Sequence, residues 1–171
     1  YVFNFAALAD LTKSLKEPIN TVRLNILGTV QALELCRKYK IKRFIHASTI
    51  YVNSVEGGFY RSSKRAAEDY VEEYKKIYGL NYTILRFGSL YGPRADDNNG
   101  IKKLIKSAKT KKKIIYRGNK MAVRRYIHVK DAAKLSVQIL SSRYKNKILT
   151  ITGKKSIKVY NLMKFLSNKL K

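Results

Sequence analysis

The sequence predicts an α/β fold: a parallel sheet with helices on its faces, followed by a small lobe. Two observations carry this. Short apolar runs at 2–8, 44–47 and 81–87 alternate with helical patterns at about 18–38 and 60–78, and strand–helix alternation argues for a parallel sheet. From Tyr91 the character then changes, because YGPRADDNNG is a polar loop carrying Gly92, Pro93 and Gly100.

Residues 2–8 are expected to form a strand buried on both faces. The chain opens on this run with no basic leader, which does not fit a signal peptide; it reads as if cut upstream. Pro18 and Asn20 open a long helix, with Ile26, Leu27, Val30 and Leu33 at three- and four-residue spacing. Phe44–Ala47 is a second strand that ends in Ser48 and Thr49, and 53–58 is turn-rich. A second helix covers 60–78, with Ala66, Ala67, Tyr70, Val71 and Tyr74 on one side. Gly79 stops it, since glycine tolerates the left-handed conformation past a helix end. NYTILRF at 81–87 is a β-branched third strand.

The second half is expected to hold a helix at 101–110, a short strand near 113–116 and a strand at 123–129. A helix at 131–142, a returning strand at 147–151 and a last helix at 157–169 follow. The lysine-rich run 109–113 reads as a solvated helix end. The boundary is placed at 92/93.

Composition narrows the function. The net charge is +26. Residues 1–100 carry 15 Lys and Arg against 10 Asp and Glu, whereas 101–171 carry 22 against 1. Such asymmetry can mark an anionic partner. Here the lysines are spread through periodic segments, so nucleic acid is disfavoured. No apolar run reaches the roughly 18 residues of a membrane helix. Cys36 is the only cysteine, which excludes a disulfide framework and a cysteine-rich metal site, and points to a reducing, cytoplasmic setting. His46 and His128 are expected to be structural, and no metal ligand set stands out.

Tyr60 and Lys64 are one helical turn apart on one face. An ammonium near a phenol favours the phenolate, and such a tyrosine can take a proton from a sugar hydroxyl. The spacing alone is weak, because about two such pairs are expected by chance in so Tyr- and Lys-rich a chain. Tyr116–Lys120, Tyr126–Lys130 and Tyr160–Lys164 share it. Only Tyr60–Lys64 opens a helix just after a strand ending in hydroxyl residues. Ligands of open parallel sheets bind beyond the carboxyl ends of the strands, where Ser48 and Thr49 sit. Thr49 also suits a turn cap.

Six motifs in order then resemble one group. They are FAALA (5–9), NILGT (25–29), RFIHAST (43–49), YRSSKRAAE (60–68), LRFGSLYGPR (85–94) and RRYIHVKDAA (124–133). The chain resembles the extended short-chain dehydrogenase/reductase group, specifically its NAD-dependent nucleotide-sugar epimerases and dehydratases, of the UDP-glucose 4-epimerase kind. The resemblance implies the C-terminal portion of a Rossmann-type doubly wound sheet over 1–92, with a substrate-binding lobe over 93–171. It implies Tyr60 as base, Lys64 as its pKa partner and ribose ligand, and Thr49 as the hydroxyl orienting the substrate. Phe5, Ala6, Ala7, Asn25 and Gly88 would lie near NAD (or NADP), and Ser89 and Arg124 would face the nucleotide-sugar. Family members are often homodimers.

Departures from the pattern also speak. Ser89 stands where many epimerases have asparagine, and Arg125 replaces the usual aspartate. Ile50 and Tyr51 follow Thr49 where sugar 4,6-dehydratases have an Asp-Glu acid–base pair. The glycine-rich pyrophosphate turn is not within these residues, so this chain by itself is not expected to bind the cofactor normally. The expectation is epimerisation by transient oxidation at a ring hydroxyl. The alternatives are a reductase or dehydratase of the same group, or a non-catalytic or nucleic-acid-binding basic protein.

Overall fold

The computed structural model describes residues 1–111, 113–116 and 118–170. They form two compact units: Tyr1–Phe87 with Leu135–Ile151, and Gly88–Lys134 with Thr152–Lys171. The first break thus falls at Phe87/Gly88, ahead of the polar loop that the sequence marks. Residues 135–151 return to the first unit.

The first unit is built on four parallel strands, β1 (Val2–Asn4), β2 (Phe44–Thr49), β3 (Tyr82–Phe87) and β6 (Lys147–Ile151), in the order β1-β2-β3-β6. Its helices are α1 (Leu11–Lys16), α2 (Pro18–Val22), α3 (Gly28–Lys38) and α4 (Gly58–Tyr78). Leu33 and Cys36 of α3, Phe44 of β2, Val71 and Tyr74 of α4, and Leu80, Tyr82 and Ile84 around β3 make one apolar core. Each such side chain contributes about 1.5–3 kcal/mol when fully buried. Gly57 (φ +100°) and Gly79 (φ +73°) flank α4 in the left-handed region that its two ends require.

Several expectations change. Only Val2–Asn4 of the run 2–8 is strand, and Phe3 is 40% exposed. β1 pairs only with β2 among the described residues, so it is an edge and is not covered on both sides. The helix from Pro18 is interrupted by a π-helical turn at Arg23–Leu27, and Leu27, expected inside, is exposed. Tyr70 also points outward, while Ser63, Lys64 and Glu68 are buried in its stead. The six residues of α1 carry no apolar period and escaped notice. Asp10 caps them by accepting a bond from the Lys13 amide at 2.7 Å.

The second unit holds β4 (Ser89–Tyr91), β5 (Val123–His128) and β7 (Ser156–Lys158), ordered β4-β5-β7, with β4 parallel and β7 antiparallel to β5. Helices α5 (Gly100–Lys111) and α7 (Val159–Lys169) belong to it. Helix α6 (Val129–Gln138) begins in it and ends in the first unit. Residues 113–116 form no strand. β4 and β7, three residues each, were too short for a periodic signal, and the pairing of β7 delays the last helix to Val159. Lys112 of the 109–113 run lies outside the described residues.

Candidate active site

The site begins where β2 ends. Phe44, Ile45 and His46 pair in register with Tyr82, Ile84 and their neighbours on β3, and Ser48 pairs with Arg86. Thr49 is the last strand residue. Its Oγ1 accepts the Tyr51 amide at 3.2 Å and so starts the 3-10 turn Ile50–Asn53. That turn leads to α4, whose first two turns carry Tyr60 and Lys64.

Tyr60 is half-buried and faces the Thr49 side chain at the strand end. Burial pushes the phenol up to about 12, the Thr49 side chain pulls it down, and nearby Tyr51 adds to the rise. This differs from the sequence expectation, in which Lys64 lowers the phenol. Removing a nascent phenolate from water outweighs the other effects. Lys64 is 2% exposed, and burial lowers it to about 8 against the pull of Glu68. The two groups therefore titrate far apart. Near neutral pH the phenol keeps its proton and the lysine remains mostly an ammonium.

Asn25 sits in the π-helical turn and is fully buried. Its Oδ1 accepts the Leu8 amide at 2.7 Å, and its Nδ2 donates to the Leu8 carbonyl at 3.1 Å and to the Ser63 hydroxyl at 2.9 Å. Its amide is thus committed to joining the segment after β1 to α4, next to Lys64. A π turn inside a helix re-aims a side chain in this way. Phe5 and Ala6 are exposed and Ala7 is half-buried.

Sequence reasoning missed an ion pair. Arg86 of β3 donates to Glu68 of α4 from Nε at 3.0 and 3.2 Å and from Nη2 at 2.6 Å. Glu68 is 1% exposed. The signal was present: an arginine inside an apolar strand needs a buried partner. His46 is buried on β2 beside the Phe44 ring, and burial, aided by Lys64, holds it well below the usual histidine range. Among the described residues, neither its ring nitrogens nor the Ser48 hydroxyl finds a hydrogen-bond partner.

The other expected residues lie in the second unit. Gly88 is tight there: a Cβ would stand 2.7 Å from both the Arg125 carbonyl and the Thr152 methyl. Ser89 pairs in register with Tyr126, and Arg124 precedes Tyr126 by two on β5, so both share one face of that sheet. His128 accepts the Lys130 amide at 3.2 Å and meets Tyr91 edge to face. Of the rival pairs, Tyr126 lies in β5, Tyr160 on α7 is 53% exposed, and Tyr116 belongs to no helix or strand. Among the described residues no cluster could hold a metal ion, and no helix is long and apolar enough to cross a membrane.

Residues 1–152 match the family described as the NAD dependent epimerase/dehydratase family. The chain belongs to that family. It is 31% identical over 176 residues to a putative UDP-glucose 4-epimerase of Methanocaldococcus jannaschii, covering 91% of this chain and 56% of that protein. It is 30% identical to a dTDP-D-glucose 4,6-dehydratase of Dictyostelium discoideum, over 76% of this chain and 36% of the other. A crystal structure of UDP-glucose 4-epimerase with UDP-glucose, from Thermotoga maritima, superimposes with a TM-score of 0.88 at 29% identity, over 98% of this chain and 60% of that one. The chain thus spans 56% or less of the curated relatives named here. The α/β fold with its parallel sheet agrees with the superimposed structure.

Proposed function

We propose that the protein carrying these residues is an NAD-dependent epimerase of a nucleotide-sugar. The observation that supports this most is the placing of Tyr60 beside Thr49 at a strand's carboxyl end, with Lys64 one turn along the same helix. The donor set suits the nicotinamide half of the cofactor: the Lys64 ammonium for ribose hydroxyls, with Phe5 and Ala6 exposed after β1. Bound NAD would take up and return a hydride, and its cationic ring would favour a nearby phenolate.

The chain's own residues do the rest. As the phenolate that the bound cofactor's charge would favour, Tyr60 Oη accepts the proton of a ring hydroxyl as hydride leaves the carbon that bears it. Thr49 donates to the same oxygen and orients it. The Lys64 ammonium stands one helical turn away, on the same face of α4. The ketone regains proton and hydride, the latter on its opposite face. Arg124 pairs with the diphosphate, for which a guanidinium fork is suited, and Ser89 faces the sugar. NADP in place of NAD, and a homodimer of the whole protein, are compatible with these residues.

The likeness to a dehydratase favours a second reading, loss of water. Ile50 and Tyr51 offer no carboxyl group after Thr49, which supports the epimerase. The full-length protein, given UDP-, GDP- or dTDP-sugars, should produce an isomer of equal mass without added reductant. Tyr60→Phe should lose turnover by about 10²–10⁴-fold. Full turnover in that variant would overturn the assignment.

A further inference from the structure

On α4, Tyr60, Lys64 and Glu68 follow at intervals of four, so they form one row beneath the helix. The row ends in the buried fork between Glu68 and Arg86. Arg86 also donates from Nη1 to Asn53 Oδ1 at 3.3 Å, and Asn53 closes the turn that Thr49 opens. One guanidinium therefore ties together the helix of Tyr60 and Lys64, the strand beside Ser48 and the turn after Thr49. A buried ion pair seldom stabilises a fold relative to apolar packing. This one joins the three elements that carry the chemistry.

We propose that Glu68 and Arg86 are the positioning pair of this site: their fork fixes the helix of Tyr60 and Lys64 against β3 and the turn after Thr49, with the Glu68 carboxylate one helical turn beyond the Lys64 ammonium and partly neutralised by Arg86. The role for catalysis rests on the function proposed above. Among the described residues, the charged or titratable groups recorded with Lys64 are Glu68, one turn along α4, and neutral His46 of β2, while Tyr60 stands one turn before it and Arg86 reaches it only through Glu68. The neighbouring helices contribute Asn25, which is uncharged, while Glu34 of α3 is taken up by Arg37 and Tyr74. Glu68 is the one carboxylate among these groups that favours the charged lysine.

This arrangement makes opposite demands on two variants. Glu68→Gln keeps the shape and removes the negative charge, so Lys64 should release its proton at lower pH, by about one unit. Arg86→Met leaves Glu68 facing Lys64 alone, so the titration should move to higher pH. A bond that merely braces the fold would lower stability in both and move Lys64 the same way or not at all.

The test follows the full-length protein labelled with ε-¹³C-lysine by NMR, with the Lys64 signal assigned by its loss in Lys64→Arg. Shifts of opposite sign support the proposal; shifts of one sign, or none, overturn it. If either variant does not fold, Arg86→Lys keeps the charge but loses the fork and should give a smaller upward shift; no shift there also overturns it. The readout needs neither substrate nor turnover, so it separates from the Tyr60→Phe test. In an active enzyme the alkaline limb of kcat should follow the same two directions.

Discussion

Thr49 ends a strand and Tyr60 stands on the first turn of α4, where the two side chains influence one another. Of the influences on the phenol, the Thr49 side chain is the one that draws its pKa down. Thr49→Val should therefore lower kcat by about 10–100-fold, the worth of a hydrogen bond to a developing charge, with little change in KM. Thr49→Ser should restore most of it. A kinetic comparison of the three proteins checks this.

Lys64 makes a prediction about stability. Its pKa falls from 10.5 to about 8 on folding. Between these values the unfolded chain binds the proton and the folded chain does not. Stability must rise with pH through about 8 to 10.5. Tyr60 titrates higher, near 12 instead of 10, and takes stability away above pH 10. In Lys64→Met the rise of Tm between pH 8 and 10 should disappear, as read by calorimetry of both proteins across that range.

Asn25 should matter for folding before it matters for ligands. Asn25→Leu removes three bonds and leaves the Leu8 amide and carbonyl without these partners inside the unit. The cost should be about 2–4 kcal/mol, seen as a lower urea midpoint with unchanged slope.

Gly88→Ala forces a methyl against the Arg125 carbonyl and Thr152. Overpacking of this kind costs about 1–3 kcal/mol. Limited proteolysis should cut the second unit of the variant faster than that of the parent.

Arg124→Ala should weaken binding of UDP to the full-length protein by about tenfold or more, as charge-assisted bonds to phosphate are lost. Titration calorimetry at fixed salt would show it. Equal affinity would remove Arg124 from the substrate site.

Much of this was legible in the residues. The helix of Tyr60 and Lys64 was marked by its glycine stop and its buried alanine and valine, β2 by its apolar run and β3 by its β-branched one. The π turn at Asn25 was not legible, because it leaves the spacing of nearby apolar residues close to helical. The rise in the phenol's pKa was hidden too. It depends on how deeply Tyr60 packs, which no spacing records. Arg86 could have been marked from sequence as a charge set in an otherwise apolar strand, but Glu68 could not be singled out among the charged neighbours of its helix. β4 and β7 exist only through their partners on β5 and carry too few residues to announce themselves.

The last strand of the first sheet, Lys147–Ile151, lies beside Thr83–Phe87, although some sixty residues separate them along the chain. During synthesis β3 therefore leaves the ribosome long before its neighbour exists. For that interval Thr83 and Leu85 present an open backbone edge, the kind on which foreign strands can add. A product ending ahead of Lys147 would keep that edge for good, and would be expected to aggregate although every residue of the Tyr60 helix is present.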